Sequence, residues 1–411
     1  MTKHRFTVVD LFSGAGGMSF GFASHPAFKI VFAVDAQQGK PSSGPGSLEC
    51  NSTYSANIPL EVKGADLTIY SPEELTSDSG LRPRDLDVLI SGAPCTGFSR
   101  ANPKNHLEDD PRNDLIGRTG DFVEALLPKV FVMENVRELL TGRFSHHWTA
   151  LRDRLERLGY ATHAKVYLMT EFGLPQTRER SIIVAARQPA TLRTLEELWE
   201  GYTVDPACLT VRHAIGHLPP LAAGESDPMD PEHTSPALQP LTLERLRAIP
   251  KNGGSWTDLI EHPAADRLLT PAMKRFIETG RTNSYSDIYG RLQWDKPSVT
   301  IKRESSHVGN GRYSHPEQDR LLSVREMAIL TGFPSTYRFA GKSLSNKYRH
   351  VGDACPPLIS YQLAHVCHWI LTGEKPDIFD CILPNTTLRP EHIIKAPDTH
   401  PVQTTLVLDS P

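Results

Sequence analysis

Five short apolar runs set the rhythm of residues 1–187: Thr7-Val8-Val9, Ile30–Val34, Val88-Leu89-Ile90, Val130–Met133 and Ser181–Val184. Runs this short, separated by longer amphipathic stretches, predict a parallel β-sheet covered by helices. Between the last two runs, Trp148, Leu151, Leu155 and Leu158 recur at spacings of three and four. That spacing puts them on one helical face, with Gly159 as the stop. From about 188 to 290 the patterning weakens, and Pro, Gly and Asn punctuate the chain, as in Gly224–Pro228 and Lys251–Gly254. This stretch predicts a second, smaller, loop-rich domain. Regular patterning returns at Ser323-Val324-Arg325-Glu326, a capping-box signature that opens a helix through Leu330 and is ended by Gly332. A further helix fits Pro357 to Leu371, with Gly373 closing it. The tail, 374–411, is rich in Pro and Thr and carries no motif.

A chain of 411 residues holds two domains, or one large domain with an insertion. No apolar stretch approaches the roughly 18 residues of a membrane helix, so membrane insertion and export are not expected and the protein is placed in the cytoplasm. Cysteines at 50, 95, 208, 355, 367 and 381 form no CxxC pair and show no metal-ligand spacing. They read as thiols in a reducing compartment, with no metal site. The net charge of −4 argues against coating nucleic acid by bulk charge, but the distribution is uneven. Residues 338–350 carry Arg338, Lys342, Lys347 and Arg349 with no acid, and 291–312 add five cations against Asp295 and Glu304. Each segment alone is as well explained by solvated surface charge.

Candidate chemistry sits at the ends of the apolar runs. Cys95 lies in Ser91-Gly92-Ala93-Pro94-Cys95-Thr96-Gly97-Phe98-Ser99, just after the third run, and Glu134-Asn135-Val136 follows the fourth. A thiol and a carboxyl, each at the C-terminal end of an expected parallel strand, are the tools for covalent attack on an electron-poor ring. The turn Phe12-Ser13-Gly14-Ala15-Gly16-Gly17 lets the backbone approach a ligand without Cβ clashes, and Asp35, ending the second run, can hold two ribose hydroxyls. By itself such a turn serves a dinucleotide or S-adenosylmethionine equally well.

The order of blocks decides between them. Asp10–Gly17, Asp35, Asp66-Leu67, Pro94-Cys95, Asp110–Leu115, Glu134–Val136, Gly173–Arg180 and Gly352–Pro357 together resemble the cytosine-C5 DNA methyltransferase family of bacterial and phage type, from Asp10 to about Cys367 with one variable stretch between. The resemblance implies an α/β fold: a Rossmann-like S-adenosylmethionine methyltransferase sheet with a second, smaller, loop-rich target-recognition domain. Residues 1–187 would form the catalytic and cofactor-binding domain, 188–290 the recognition domain, 291–373 a return segment completing the first, and 374–411 a tail. It implies S-adenosyl-L-methionine as cofactor, with Phe12 against the adenine, Asp66 accepting from its amino group and Leu115 lining the same pocket. Ser13, Gly14, Gly16, Gly17, Asp35, Leu67, Pro94, Asp353 and Ala354 complete that set.

For the reaction, the resemblance gives Cys95 as the nucleophile that adds to cytosine C6. Glu134 would be the acid serving N3, its pKa raised by an apolar strand end, and Arg178 and Arg180 would contact the base carbonyl and a nearby phosphate. The target base must leave the duplex to be reached. Ser99, Arg112, Gln176, Lys251, Arg281, Lys302, Arg303 and Arg349 are the expected nucleic-acid contacts, with Asn252, Trp256, Asn283, Ser284 and Tyr285 as further groove candidates. The implied partners are double-stranded DNA and a cognate restriction endonuclease, and the protein is expected to act as a monomer. A tRNA-modifying branch of the family is the alternative in substrate. A catalytically silent DNA-binding relative is the alternative in class, and a nicotinamide-dependent dehydrogenase would explain the glycine turn alone.

Two departures stand out. Asp35-Ala36 occurs where the family commonly has Glu and an aromatic or apolar residue, which shortens the acid and removes stacking. Gly352-Asp353-Ala354-Cys355 replaces Gly-Asn-(Ala/Ser)-Val, putting a carboxylate where it would favour the cofactor's ammonium and oppose its carboxylate. Asp353→Asn is therefore expected to tighten cofactor binding. Gly39–Ser47, a flexible insertion, reads as a tolerated surface loop in preference to a lid.

Overall fold

The computed structural model describes residues 5–38, 47–94 and 109–397. Cys95, Ser99 and, save Ser47, the Gly39–Ser47 insertion lie outside them. In chain order the strands are β1 (Phe6–Leu11), β2 (Phe28–Asp35), β3 (Lys63–Gly64), β4 (Val88–Ser91), β5 (Val130–Val136), β6 (Tyr160–Leu168), β7 (Gln176–Thr177), β8 (Glu179–Arg187), β9 (Tyr202–Val204), β10 (Ser298–Val299) and β11 (Ile393–Lys395). The helices beside the first eight are α1 (Gly17–Ser24), α2 (Cys50–Asn57), α3 (Pro72–Ser79), α4 (Leu115–Leu126), α5 (Glu138–Thr141) and α6 (His146–Arg157). Beyond them come α7 (Leu195–Leu198), α8 (Val211–Ile215), α9 (Pro240–Ala248), α10 (Ala265–Leu268), α11 (Pro271–Glu278), α12 (Val324–Leu330), α13 (Leu344–Asp353) and α14 (Pro357–Thr372).

Seven strands form one sheet in the order β3-β2-β1-β4-β5-β8-β6. The five runs read from the sequence are β1, β2, β4, β5 and β8, and the first four pair in parallel. The expectation of a sheet parallel throughout is corrected at one edge, where β8 runs antiparallel to both β5 and β6. β6 has no apolar alternation to announce it: Tyr160–Leu168 contains Thr, His and Lys and lies at an edge, half-buried along most of its length. It is held instead by nine residue pairings with β8, from Tyr160–Arg187 to Leu168–Glu179.

Apolar side chains cover both faces of the sheet. On one, Val8, Ile30, Val88, Val132 and Val184 pack with Phe22 and with Leu358, Ile359 and Leu363 of α14. On the other, Val9, Leu89, Phe131 and Ile183 pack with Phe122 of α4 and with Trp148, Leu151 and Leu155 of α6, the helical face expected from their spacing. α14 lies so close to α1 that a Cβ at Gly17 would fall 2.5 Å from the Cys355 carbonyl oxygen, and one at Gly21 would fall 2.1 Å from Ser360 Oγ. The last long helix thus completes the first layer of the fold.

The expected caps are present. Ser323 accepts from the Glu326 N–H while Glu326 accepts from the Ser323 N–H, and Gly373 ends α14 in the left-handed region. A third apolar cluster runs from Val211 through Trp256 and Leu292 to Tyr337 and Ala354, so the stretch poor in periodicity shares a core with the segment after it. Among the described residues, no helix is long and apolar enough to cross a membrane.

Candidate active site

Parallel pairing brings the C-terminal ends of β1, β2, β4 and β5 to one edge of the sheet, and antiparallel β8 brings its N-terminal end to the same edge. The residues singled out from the sequence gather there because they sit at those ends: the glycine turn after β1, Asp35 ending β2, Pro94 after β4, Glu134 on β5, and Arg180 on β8 opposite Val136. Ligands bind at this edge of open α/β sheets because the strand ends leave backbone groups for loops to present.

The turn is built from unusual backbone. Phe12, Gly14 and Gly16 all have positive φ, at 59°, 52° and 91°, and Gly16 leaves a cradle in which a Cβ would press on Tyr54, Ile58 and Tyr337 at 3.0–3.2 Å. Asp35 braces the turn, accepting from Gly14 N–H at 2.9 Å through one oxygen, and from Gln37 N–H at 2.6 Å and the Cys50 thiol at 3.3 Å through the other. Ser13 Oγ is buried with no hydrogen-bond partner among the described residues. Asp66 accepts from Thr68 N–H and hydroxyl through one oxygen and from the Gln38 amide at 2.6 Å through the other. Leu67 and Leu115 are both buried, the first inside the core of the second sheet face. A buried hydroxyl lacking a partner among the described residues, a glycine cradle and a braced acid fit a nucleoside-bearing cofactor.

Beneath this turn lies a group the sequence reading quoted without assigning a role. Asp10 is fully buried at the end of β1, accepts from the Ser19 hydroxyl at 2.6 Å, and Ser19 in turn accepts from the Tyr54 hydroxyl at 2.8 Å. Burial pushes the Asp10 carboxyl up to about 8. The turn therefore rests on a neutral acid.

At the centre of the edge, Glu134 is buried and its Oε1 lies 2.9 Å from Arg180 Nε. The sequence reading surrounded this carboxyl with apolar strand; the structure faces it with a guanidinium. Asn135 turns the other way and donates to the Ala93 carbonyl at 3.1 Å, pinning the residue two before Cys95 to the strand that carries Glu134. Sequence reasoning kept Asn135 only as a motif letter, although an amide between two catalytic strands is itself a sign of bracing.

The expected pairing of Arg178 with Arg180 divides. Arg178 is fully buried, and its guanidinium donates to the carbonyls of Ile301 at 3.1 Å and Ala354 at 2.9 Å. Gln176, expected at the nucleic acid, is completely buried in the free chain, donates to Leu330 O and Thr331 Oγ1, and accepts from Ile301 N–H. Both side chains fasten the return segment to the sheet edge. Cys355 lies within electrostatic reach of Glu134, Arg178 and Arg180, and burial holds its thiol far above the ordinary range. It is a neutral packing thiol, distinct from a nucleophile.

A model of the family described as C-5 cytosine-specific DNA methylase matches residues 6–369. The chain belongs to that family. It is 33% identical over 370 residues to a Type II methyltransferase, M1.HphI, of Haemophilus parahaemolyticus, covering 90% of this chain and 88% of that protein. It is 29% identical to the Type II methylase M.HgiDII of Herpetosiphon aurantiacus, over 89% of this chain and 96% of that one. The fold is shared with a putative DNA modification methyltransferase encoded within an Escherichia coli prophage, with a TM-score of 0.65, 21% identity and coverage of 89% and 99%. The enzyme is a DNA cytosine-C5 methyltransferase.

In this methyltransferase the expected nucleic-acid contacts outside the edge are mostly engaged with carboxylates. Arg112 chelates Asp110 at 2.8 and 2.6 Å, Lys251 pairs with Asp319, and Arg349 reaches Glu304 at 3.4 Å. Arg303 pairs with Asp353 at 3.1 Å, so the anomalous acid of the closing motif has a cation against it. Ala354, its neighbour, is buried and holds Arg178. Lys302 and Arg281 are exposed with no carboxylate partner among the described residues.

Proposed function

We propose that this edge methylates C5 of a cytosine swung out of duplex DNA, with Cys95 as nucleophile and Glu134 as the group serving N3. The observation that carries the reading is the arrangement on β5: Glu134 facing Arg180 at 2.9 Å while the adjacent Asn135 ties down Ala93, two residues before Cys95. Cytosine C5 is a poor nucleophile until a thiolate adds to C6 and converts the ring to an enamine. The addition builds negative charge that N3 relieves by taking a proton from Glu134, and the Arg180 guanidinium pairs the carboxylate left behind. The same carboxyl accepts from the exocyclic amine, which thymine lacks. Elimination of the C5 proton and of the Cys95 sulfur restores the aromatic ring.

Phe12, Ser13, Gly14, Gly16, Asp35 and Asp66 would hold S-adenosylmethionine, which when bound supplies an electrophilic methyl group. Arg178 and Gln176 act in this scheme by holding the return segment in register with the edge. The stretch 188–290 would carry recognition of the DNA site, acting on a base extruded at a cost of about a few kcal/mol. The Type II names of the two bacterial relatives support pairing with a restriction endonuclease in a bacterial cytoplasm, and the enzyme is proposed to work as a monomer.

The test is capture. With cofactor and duplex DNA containing 5-fluorocytosine, the protein should form an adduct that survives denaturing electrophoresis, because fluorine cannot leave as the C5 proton does. A protein that binds such DNA without forming the adduct is a silent relative. Methyl transfer to tRNA in place of DNA would move the substrate to the RNA branch.

A further inference from the structure

Far along the chain from the catalytic motifs, three capped turns bring together side chains of a different chemistry. Cys208 lies in the 3-10 turn Pro206–Leu209, whose first N–H is capped by the Asp205 carboxylate. His213 lies in α8, where the Thr210 hydroxyl oxygen accepts from the His213 N–H. His392 ends the 3-10 turn Pro390–His392 that leads into β11. β11 pairs antiparallel with β9, and the Asp205 N–H donates to the His392 carbonyl at 2.9 Å, which fixes the third turn against the first. As a result one potential ligand atom from each of Cys208, His213 and His392 lies within 4.8 Å of the other two.

We propose that Cys208, His213 and His392 bind one divalent transition-metal ion of the zinc class, which clasps the segment around β11 to the start of the second, loop-rich region. A thiolate with two imidazoles is a soft, nitrogen-rich set that suits zinc better than magnesium or calcium. Tetrahedral metal–sulfur and metal–nitrogen bonds of about 2.3 and 2.0 Å require ligand atoms roughly 3.3–3.8 Å apart, so closure asks for a movement of about 1 Å. The three turns can supply it, since Cys208 is half-buried and His213 exposed. The carboxylates of Asp205 and Glu391 act electrostatically on both Cys208 and His392, and favour a cation, against the opposing charges of Arg389 and, when protonated, His213. Water can take the fourth position.

One existing contact gives way. His392 Nδ1 accepts the Arg389 N–H at 3.1 Å, and coordination through either ring nitrogen displaces that bond, through the lone pair itself or through the proton it must then carry. The cost is small beside a metal–imidazole bond. No motif announces the site, because Cys208 and His213 match no standard ligand spacing and the third ligand lies near the end of the described residues.

Cobalt(II) is the probe. The full-length protein, stripped with chelator, should bind one equivalent and develop a thiolate-to-cobalt absorption band with the visible bands of a tetrahedral site, and zinc should bleach both. Cys208→Ser should abolish the charge-transfer band, and His213→Gln, at an exposed position that folding does not need, should weaken cobalt binding by roughly 100-fold. Absence of stoichiometric binding, or a band undiminished in both variants, would overturn the proposal. Methyl transfer by the variants reports that they are folded, so a lost band cannot be mistaken for lost structure.

Discussion

The strand-end edge and the loop-rich region that follows it differ in how many of their polar side chains are held in solvent-exposed ion pairs. At the edge the Glu134–Arg180 pair is braced by side chains that hold backbone groups: Asp35 on Gly14 and Gln37, Asn135 on Ala93, Arg178 on Ile301 and Ala354. In and around the loop-rich region a further kind of contact appears, charged side chains paired with one another in solvent, as in Arg212–Asp295, Arg267–Glu244 and Lys251–Asp319. A backbone partner cannot swing away, so the edge is in place before substrate arrives, which is what a reaction needing sub-ångström placement requires. Exposed ion pairs contribute about 0–1 kcal/mol each, so a cation there can leave its carboxylate for a DNA phosphate at little cost. One region is set and the other is exchangeable.

The largest effect should come from the edge. Cys95→Ser should lower methyl transfer by at least about 10³-fold and Glu134→Gln by about 10²–10⁴-fold, each with DNA affinity nearly unchanged. Single-turnover transfer of labelled methyl groups, read beside a gel-shift titration, separates the two quantities. If either variant lost binding and chemistry together, the edge would be a binding surface and the contrast with the second region would fail.

Next in size is a test of how the edge is assembled. Gly17→Ala places a methyl group 2.5 Å from the Cys355 carbonyl, and backbone on that side has nowhere to retreat. A loss of about 2–4 kcal/mol in urea unfolding is expected, with cofactor binding weakened because the glycine turn begins at the same helix. Gly117→Ala, on α4 with open space around it and ordinary helical backbone, should cost nothing, and an equal loss there would mean that the α1–α14 approach is not responsible.

Asp10 sharpens the comparison through pH. Its carboxyl, pushed up to about 8 by burial, stands above its ordinary value of 3.8, so the folded chain holds a proton that the unfolded chain has released. The stability this gives is complete below about pH 4 and is lost as pH rises through 8. Between pH 7 and 9 the unfolding free energy should fall by on the order of 1 kcal/mol, and Asp10→Asn should flatten that slope. A wild-type urea midpoint that stays level across this interval would remove the neutral acid from beneath the turn.

How far each region could be read in the sequence follows from the same difference. Catalysis needs particular residue types at strand ends, so Cys95, Glu134, Asp35 and the glycine turn stand out beside their apolar runs, and five strands, α6, α12 and α14 are placed by periodicity and caps. β6 escaped because an edge strand held by pairing needs no apolar alternation. The contacts of Gln176 and Arg178 are not legible, because their partners, Ile301, Leu330 and Ala354, are supplied by a segment more than a hundred residues away, and nothing local distinguishes an arginine that grips carbonyls from one that grips phosphate. Asp353 was taken as a bare carboxylate for the same reason, since Arg303 is its neighbour only in the folded chain.

The smallest effects belong to the exchangeable region, and they decide which of its cations meet DNA. Arg281 and Lys302 are exposed without a carboxylate partner among the described residues, whereas Lys251 is paired with Asp319. An unpartnered cation gains a phosphate with nothing to give up; a paired one first loses its acid, and the acid stays behind to repel the backbone. Arg281→Ala and Lys302→Ala should therefore each weaken DNA binding by about 1 kcal/mol and lower the slope of log affinity against log salt by about one, with the single-turnover rate on saturating DNA unchanged. Lys251→Ala should do less, because it also exposes Asp319 to Arg291, its second partner, which keeps that carboxylate neutralised. Gel-shift titrations at several salt concentrations rank the three. If Lys251→Ala proved the most damaging, ion pairing in the free protein would mark the contacts DNA takes over, and the exchangeable pairs themselves would be the reading surface.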